Sequence, residues 1–114
     1  PAPLDVASGV AAGVAGVMSY GKAEVGDKTM VDALVPFSST LTSAVDAGAP
    51  LPDAWRSAAA SATSAAAATA DLLPRMGRAR THGHHSVGIP DPGAHSLALI
   101  VTALGETLAA SKEN

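Results

Sequence analysis

Apolar positions along the chain fall into four stretches with a helical period. Between Leu4 and Tyr20, Val6, Val10, Val14 and Val17 recur at intervals of four, four and three, which is one face of a helix. Gly9, Gly13 and Gly16 lie on a neighbouring stripe, lowering helix propensity but leaving room for another helix backbone to come close. A second helix is expected from about Thr29, with Met30, Leu34, Phe37, Leu41 and Val45 as its buried stripe, a kink at Pro36, and Gly48 in a left-handed cap. Pro52 suits the first turn of a third helix running through Trp55, Ala59, Ala62, Ala66 and Leu73, with Pro74 and Gly77 ending it. The fourth opens at Asp91, a good N-cap, with Pro92 as first residue and Leu97, Ile100, Val101, Leu104 and Leu108 as its apolar face.

No strand pattern appears, so the expected class is all-α, an antiparallel up-down bundle of about four helices. Two segments interrupt the helical period. Residues Gly21 to Met30 hold two of the glycines and four charged side chains, and residues Gly77 to Pro92 mix glycine, histidine, arginine and proline. In an up-down bundle the first and third connections lie at the same end, so these distant segments are expected to meet and build one site.

Composition narrows the packing. Apolar residues are 47% of the 114 but aromatics only 3%, so alanine, valine and leucine must fill the interior through close contacts between helices. One packing unit fits this length. The net charge of -3, with 15% charged residues and no long run of one sign, argues against a nucleic-acid partner. Cysteine is absent, which removes disulfides and thiolate metal sites and suits a reducing, cytoplasmic setting. The apolar stretch Leu4 to Met18 carries Asp5, is too short to span a bilayer and lacks the order of a signal peptide, so neither membrane insertion nor export is expected from it.

The string GKAEVGDKTMVDALVP at Gly21 to Pro36, then MGRAR at Met76 to Arg80 and SVGIPDPGAHS at Ser86 to Ser96, resembles the nucleotide-binding (DhaL-like) domain of the dihydroxyacetone kinase family in order and spacing. The resemblance covers nearly the whole chain, and the paired GDKTM and DPGA motifs carry most of it. It implies a barrel of about eight antiparallel helices holding ADP or ATP at one end, with residues 1–114 as its C-terminal half. It also implies Mg2+ held by an aspartate-rich GDGDxG loop in the N-terminal half, which nothing here matches, and a ketose-binding kinase domain or subunit as partner. Carried over by position, it sets Gly21 and Met30 against the nucleotide, Arg78 near its phosphates, and Asp91, Pro92 and Gly93 beside the adenosine. Glycine permits close backbone approach, methionine gives an adaptable apolar wall, and arginine offers a two-pronged fork for phosphate oxygens.

One loop departs from the family. Many members have Gly-Glu-Arg-Ser and Gly-His before DPGA, where this chain reads Gly83-His84-His85-Ser86-Val87-Gly88-Ile89-Pro90, a change that favours a four-carbon ketose such as erythrulose over a triose. The implied activity is a ketose kinase, dihydroxyacetone or erythrulose type, in which this chain carries no catalytic residue and is inactive alone. A non-catalytic regulatory or lipid-binding domain, as in fatty acid kinases, is the alternative.

Other readings of the same residues are plainer. Gly21 to Thr29 nearly spells a P-loop, but Asp27 stands in the lysine position and the segment follows a helix instead of a strand. Asp27 could be an N-cap, Asp91 a cap and nothing more, and Arg78 a solvated loop arginine beside Arg75 and Arg80. His82, His84 and His85 lack a carboxylate partner and fixed helical spacing, so solvent-facing imidazoles are expected there and not a metal site. His95 could face either the site or a neighbouring helix. Lys22, Glu24, Lys28 and Asp32 read as a solvated cluster at a helix end.

Overall fold

The computed structural model describes residues 2–21, 25–72 and 89–113. Four helices account for most of them: α1 (Pro3–Gly21), α2 (Val31–Asp46), α3 (Leu51–Ala68) and α4 (Pro92–Glu113), with a short 3-10 turn at Thr69–Asp71. Among the described residues there is no strand, and each helix packs on the next along the chain, α1 on α2, α2 on α3 and α3 on α4. This is the all-α up-down arrangement that the periodicity implies.

The sequence explains the helix ends. Gly48 takes a positive φ of 91°, Ala49 N–H donates to the Ala44 carbonyl and Gly48 N–H to that of Val45, a Schellman close that stops α2. Pro52 stands in the first turn of α3, where its missing N–H has no helical partner to lose. α2 continues through Pro36 without ending. α3, expected to run to Leu73, stops at Ala68 because Thr69 turns its hydroxyl back on the Ala66 carbonyl at 2.5 Å and the chain tightens into the 3-10 turn. Leu73, Pro74 and Gly77 lie outside the described residues.

The core lies between α2 and α3 and is made chiefly of alanine: Ala33, Ala54, Ala58, Ala62 and Ala94 are fully enclosed around Phe37 and Leu41. The Phe37 and Trp55 rings meet edge to face, centroids 4.8 Å apart at 76°. Trp55 Nε1 donates to the Val101 carbonyl at 2.7 Å, locking α3 to α4. Gly105 permits that approach, since a Cβ there would come within 2.9 Å of Trp55 Cδ1. Thr40 Oγ1 donates to Ser61 Oγ at 2.8 Å, a polar tie between α2 and α3.

Three sequence expectations are corrected. Of the expected α2 stripe, Phe37 and Leu41 are fully buried and Val45 packs against the core, but Val31 and Ala33 go inward as well because α2 is covered on two sides, and Met30 stays 40% exposed. On α4 the small residues Ala94 and Ala98 go inward with Val101, while Ile100 and Leu104 stay exposed, because an alanine-lined α3 admits only small side chains at close range. The glycine stripe of α1 touches no helix: nothing lies within 4 Å of a Cβ built at Gly9, Gly13 or Gly16. α1 instead packs on α2 through Ala7 and the half-buried Val10. By length and composition the stretch Pro92–Ala110 could cross a membrane, the one described helix of which this is true. Its Ala94, Ala98 and Val101 are buried in the bundle core.

Candidate functional site

Up-down alternation brings the C-terminus of α1, the N-terminus of α2, the C-terminus of α3 and the N-terminus of α4 to one end. Two helix N-termini therefore present their positive dipole ends there. The loop before α2 is organised by a side chain that follows it. Asp32, in the first turn of α2, accepts the Gly26 N–H on Oδ1 at 2.5 Å and the Thr29 N–H on Oδ2 at 2.8 Å, while Thr29 Oγ1 accepts the Val31 N–H at 3.2 Å. Its burial is affordable because both carboxylate oxygens are bonded and lie at a helix N-terminus.

Two residues in this loop have positive φ, Gly26 at 100° and Lys28 at 60°. The second is a lysine in the left-handed region, at a cost of about 1–2 kcal/mol that the surrounding bonds offset. Lys28 and Asp32 are both buried, at 3% and 5% exposure, so they are not part of a solvated cluster. The N-cap position of α2 is Met30, and the Val31 N–H that follows it is accepted by Thr29 Oγ1. Lys22 and Glu24 lie outside the described residues.

The start of α4 is capped as its sequence indicates. Asp91 is buried and its Oδ2 accepts the Ala94 N–H at 2.9 Å, the N-cap to N3 bond, with Pro92 in the first helical position. Its own N–H donates to Thr69 Oγ1 at 2.7 Å, across from the end of α3. Gly93 faces the start of α2: a Cβ there would meet Asp91 Oδ2 at 3.1 Å and Met30 Cβ at 3.4 Å. Met30 and Gly93 are thus near neighbours, and a side chain at position 93 would crowd the Asp91 carboxylate first.

Of the six residues singled out from the sequence, four come together here: Met30, Asp91, Pro92 and Gly93. Gly21 is the last residue of α1, at the same end. Arg78 falls outside the described residues, as do His82, His84 and His85. His95 is exposed. Sequence reasoning missed Thr69 and Asp32, whose importance lies in bonds to the loop and the α4 cap.

A small cavity of about 260 Å³ opens beside Asp32 and Thr69, walled also by Gly26, Pro36, Ala68 and Leu72 and by none of the six sequence-selected residues. A larger groove of about 770 Å³ runs between α3 and α4 past Arg56, Thr63, Thr102 and Glu106, and none of the six sequence-selected residues lines it. Among the described residues no three His, Cys, Asp or Glu side chains converge as metal ligands would.

The DAK2 domain family matches residues 2–106 of this all-α bundle: the chain belongs to that family. Among individual relatives, it is 52% identical over 103 residues to an L-erythrulose kinase of Pectobacterium atrosepticum, covering 90% of this chain and 18% of that protein. It is 41% identical over 92 residues to the ADP-binding subunit DhaL of the PEP-dependent dihydroxyacetone kinase of Escherichia coli, covering 81% of this chain and 44% of the subunit. The human triokinase/FMN cyclase shares 37% identity over 97 residues, 85% of this chain and 17% of that protein. The chain therefore spans about a fifth of the length of the erythrulose kinases and under half of the DhaL subunit.

Proposed function

We propose that this chain forms one side of the nucleotide site of a ketose kinase, working with the N-terminal half of the same helical domain and with a ketose-binding domain or subunit. The observation that carries the proposal is the meeting of Met30 with Asp91 and Gly93 at one end of the bundle. Relatives named as kinases, one of them an ADP-binding subunit, support the same reading. Their names do not favour the regulatory or lipid-binding alternative.

In this reading ADP or ATP lies across the starts of α2 and α4. The exposed Met30 gives its base or sugar an apolar wall, and Gly93 leaves the backbone open to close approach. Asp91 keeps α4 capped and holds Gly93 in place, while Arg78 provides a two-pronged contact for phosphate oxygens. Phosphoryl transfer depends on positioning and on neutralising charge, and these residues contribute the first. Mg2+ would neutralise the phosphates from carboxylates in the N-terminal half. The phosphoryl acceptor is a hydroxyl of a ketose held elsewhere. A four-carbon ketose is the favoured substrate, since relatives are named for L- and D-erythrulose and the Gly83 to Pro90 loop departs from the family pattern. A cytoplasmic setting belongs to the same proposal.

Native mass spectrometry and calorimetric titration of the complete domain test this. A retained or titratable adenine nucleotide is expected, with Arg78→Ala weakening it about tenfold or more, as loss of a charge-assisted pair should. A retained acyl chain without nucleotide affinity would support the lipid-binding alternative instead.

A further inference from the structure

Thr69 is an inconspicuous residue in the sequence, following an alanine run, yet it is among the most completely buried side chains, at 1% exposure. Its hydroxyl is used twice. It donates to the Ala66 carbonyl at 2.5 Å, within its own helix end, and accepts the Asp91 N–H at 2.7 Å from a residue 22 positions later. Asp91 in turn accepts the Ala94 N–H at 2.9 Å. A continuous chain of hydrogen bonds thus runs from the last turn of α3 to the first turn of α4, and in a buried setting each bond strengthens the next.

We infer that Thr69 is a positioning residue for the nucleotide end of the bundle: it sets where the α4 cap sits, and thereby where Gly93 stands against Met30. The inference rests on the nucleotide reading proposed above. Its physical basis is the nearness of the two helix starts. With a hypothetical Cβ at Gly93 only 3.1 Å from Asp91 Oδ2 and 3.4 Å from Met30 Cβ, a displacement of the cap by a few tenths of an ångström changes the surface offered between the two helix starts. Among the described residues, the other side-chain bond from α3 to α4, Trp55 to Val101, lies more than two turns along α4 from the cap. Losing the Thr69 hydroxyl would therefore free the cap without opening the bundle.

The test uses the complete domain with Thr69→Val, Thr69→Ala and Thr69→Ser. Valine keeps the shape but leaves the Asp91 N–H unpaired, alanine makes room for a water to take that N–H, and serine keeps the hydroxyl. Mg-ADP affinity is measured by calorimetry well below each variant's melting temperature, together with amide hydrogen exchange. Thr69→Val is expected to weaken ADP about tenfold, with faster exchange at Ala94 and unchanged exchange at Ala58 and Ala62 in mid-α3, and Thr69→Ser should restore both. Should the valine variant not fold, Thr69→Ala gives the same direction with a smaller effect. Wild-type affinity in the valine or alanine variant, or a loss of stability with ADP affinity intact, overturns the inference. A wild-type domain that binds no ADP overturns the nucleotide reading itself, a distinct result.

Discussion

The end of the bundle that joins residues 26–32, Thr69 and Asp91–Ala94 closes over its polar side chains while leaving Met30 and Gly93 exposed, whereas the outer faces of α1 and α4 are apolar yet open. At the closed end Lys28, Asp32, Thr69 and Asp91 are all buried, and Asp32, Thr69 and Asp91 make the bonds that shape the loop and the cap. Along the open faces Leu4, Leu99, Ile100 and Leu104 are about half exposed or more, and the three glycines of α1 have nothing over them. Burial here does not follow hydrophobicity. Polar groups can be enclosed because each finds its partner within this chain, while the large apolar groups on the edges find no covering neighbour among the described residues. In the proposal, the N-terminal half of the domain supplies that neighbour.

Substitutions in the α2–α3 middle should have the largest effect, since there the chain completes its own packing. Phe37→Ala removes the fully buried ring that meets Trp55 and should cost about 3–5 kcal/mol, read from urea or thermal unfolding of the chain. At the closed end, Asp32→Ala leaves the part-buried Gly26 and Thr29 amides without their acceptor and should cost about 1–3 kcal/mol, with exchange of those two amides rising first. Gly105→Val forces a side chain onto Trp55, for about 1–3 kcal/mol and a shift in tryptophan fluorescence as the bond to Val101 lengthens.

The open faces should respond in the opposite direction. Gly13→Ala meets no atom and raises helix propensity, so it should stabilise this chain by about 0.5–1 kcal/mol. Gly13→Leu should leave the chain's own unfolding nearly unchanged while lowering its affinity for the proposed N-terminal half. A destabilising Gly13→Ala would erase the contrast between the closed and open regions.

Much of this was legible in the sequence. Asp91–Pro92 gives the start of α4 because capping and a first-position proline are local chemistry, and Gly48 marks the end of α2 for the same reason. Helix number and the meeting of the starts of α2 and α4 at one end follow from periodicity and alternation. What stayed hidden depends on partners distant in the chain. Lys28 and Asp32 read as solvated because nothing local shows that a carboxylate six residues after Gly26 will accept its amide. Thr69 carries no signal at all until Asp91 stands beside it. Gly105 did leave one, an isolated glycine within an apolar helical pattern, which often means close packing. The α4 face was misassigned because period alone cannot tell which of two apolar stripes, one small and one large, an alanine-lined neighbour will accept.

The central claim is that this chain holds only one side of a nucleotide site. Calorimetric titration with Mg-ADP, first of this chain alone and then after adding the N-terminal half, tests it most directly. The account predicts no measurable binding by the chain alone and saturable binding once the other half is present. Tight binding by the chain alone, or none in either case, would contradict it.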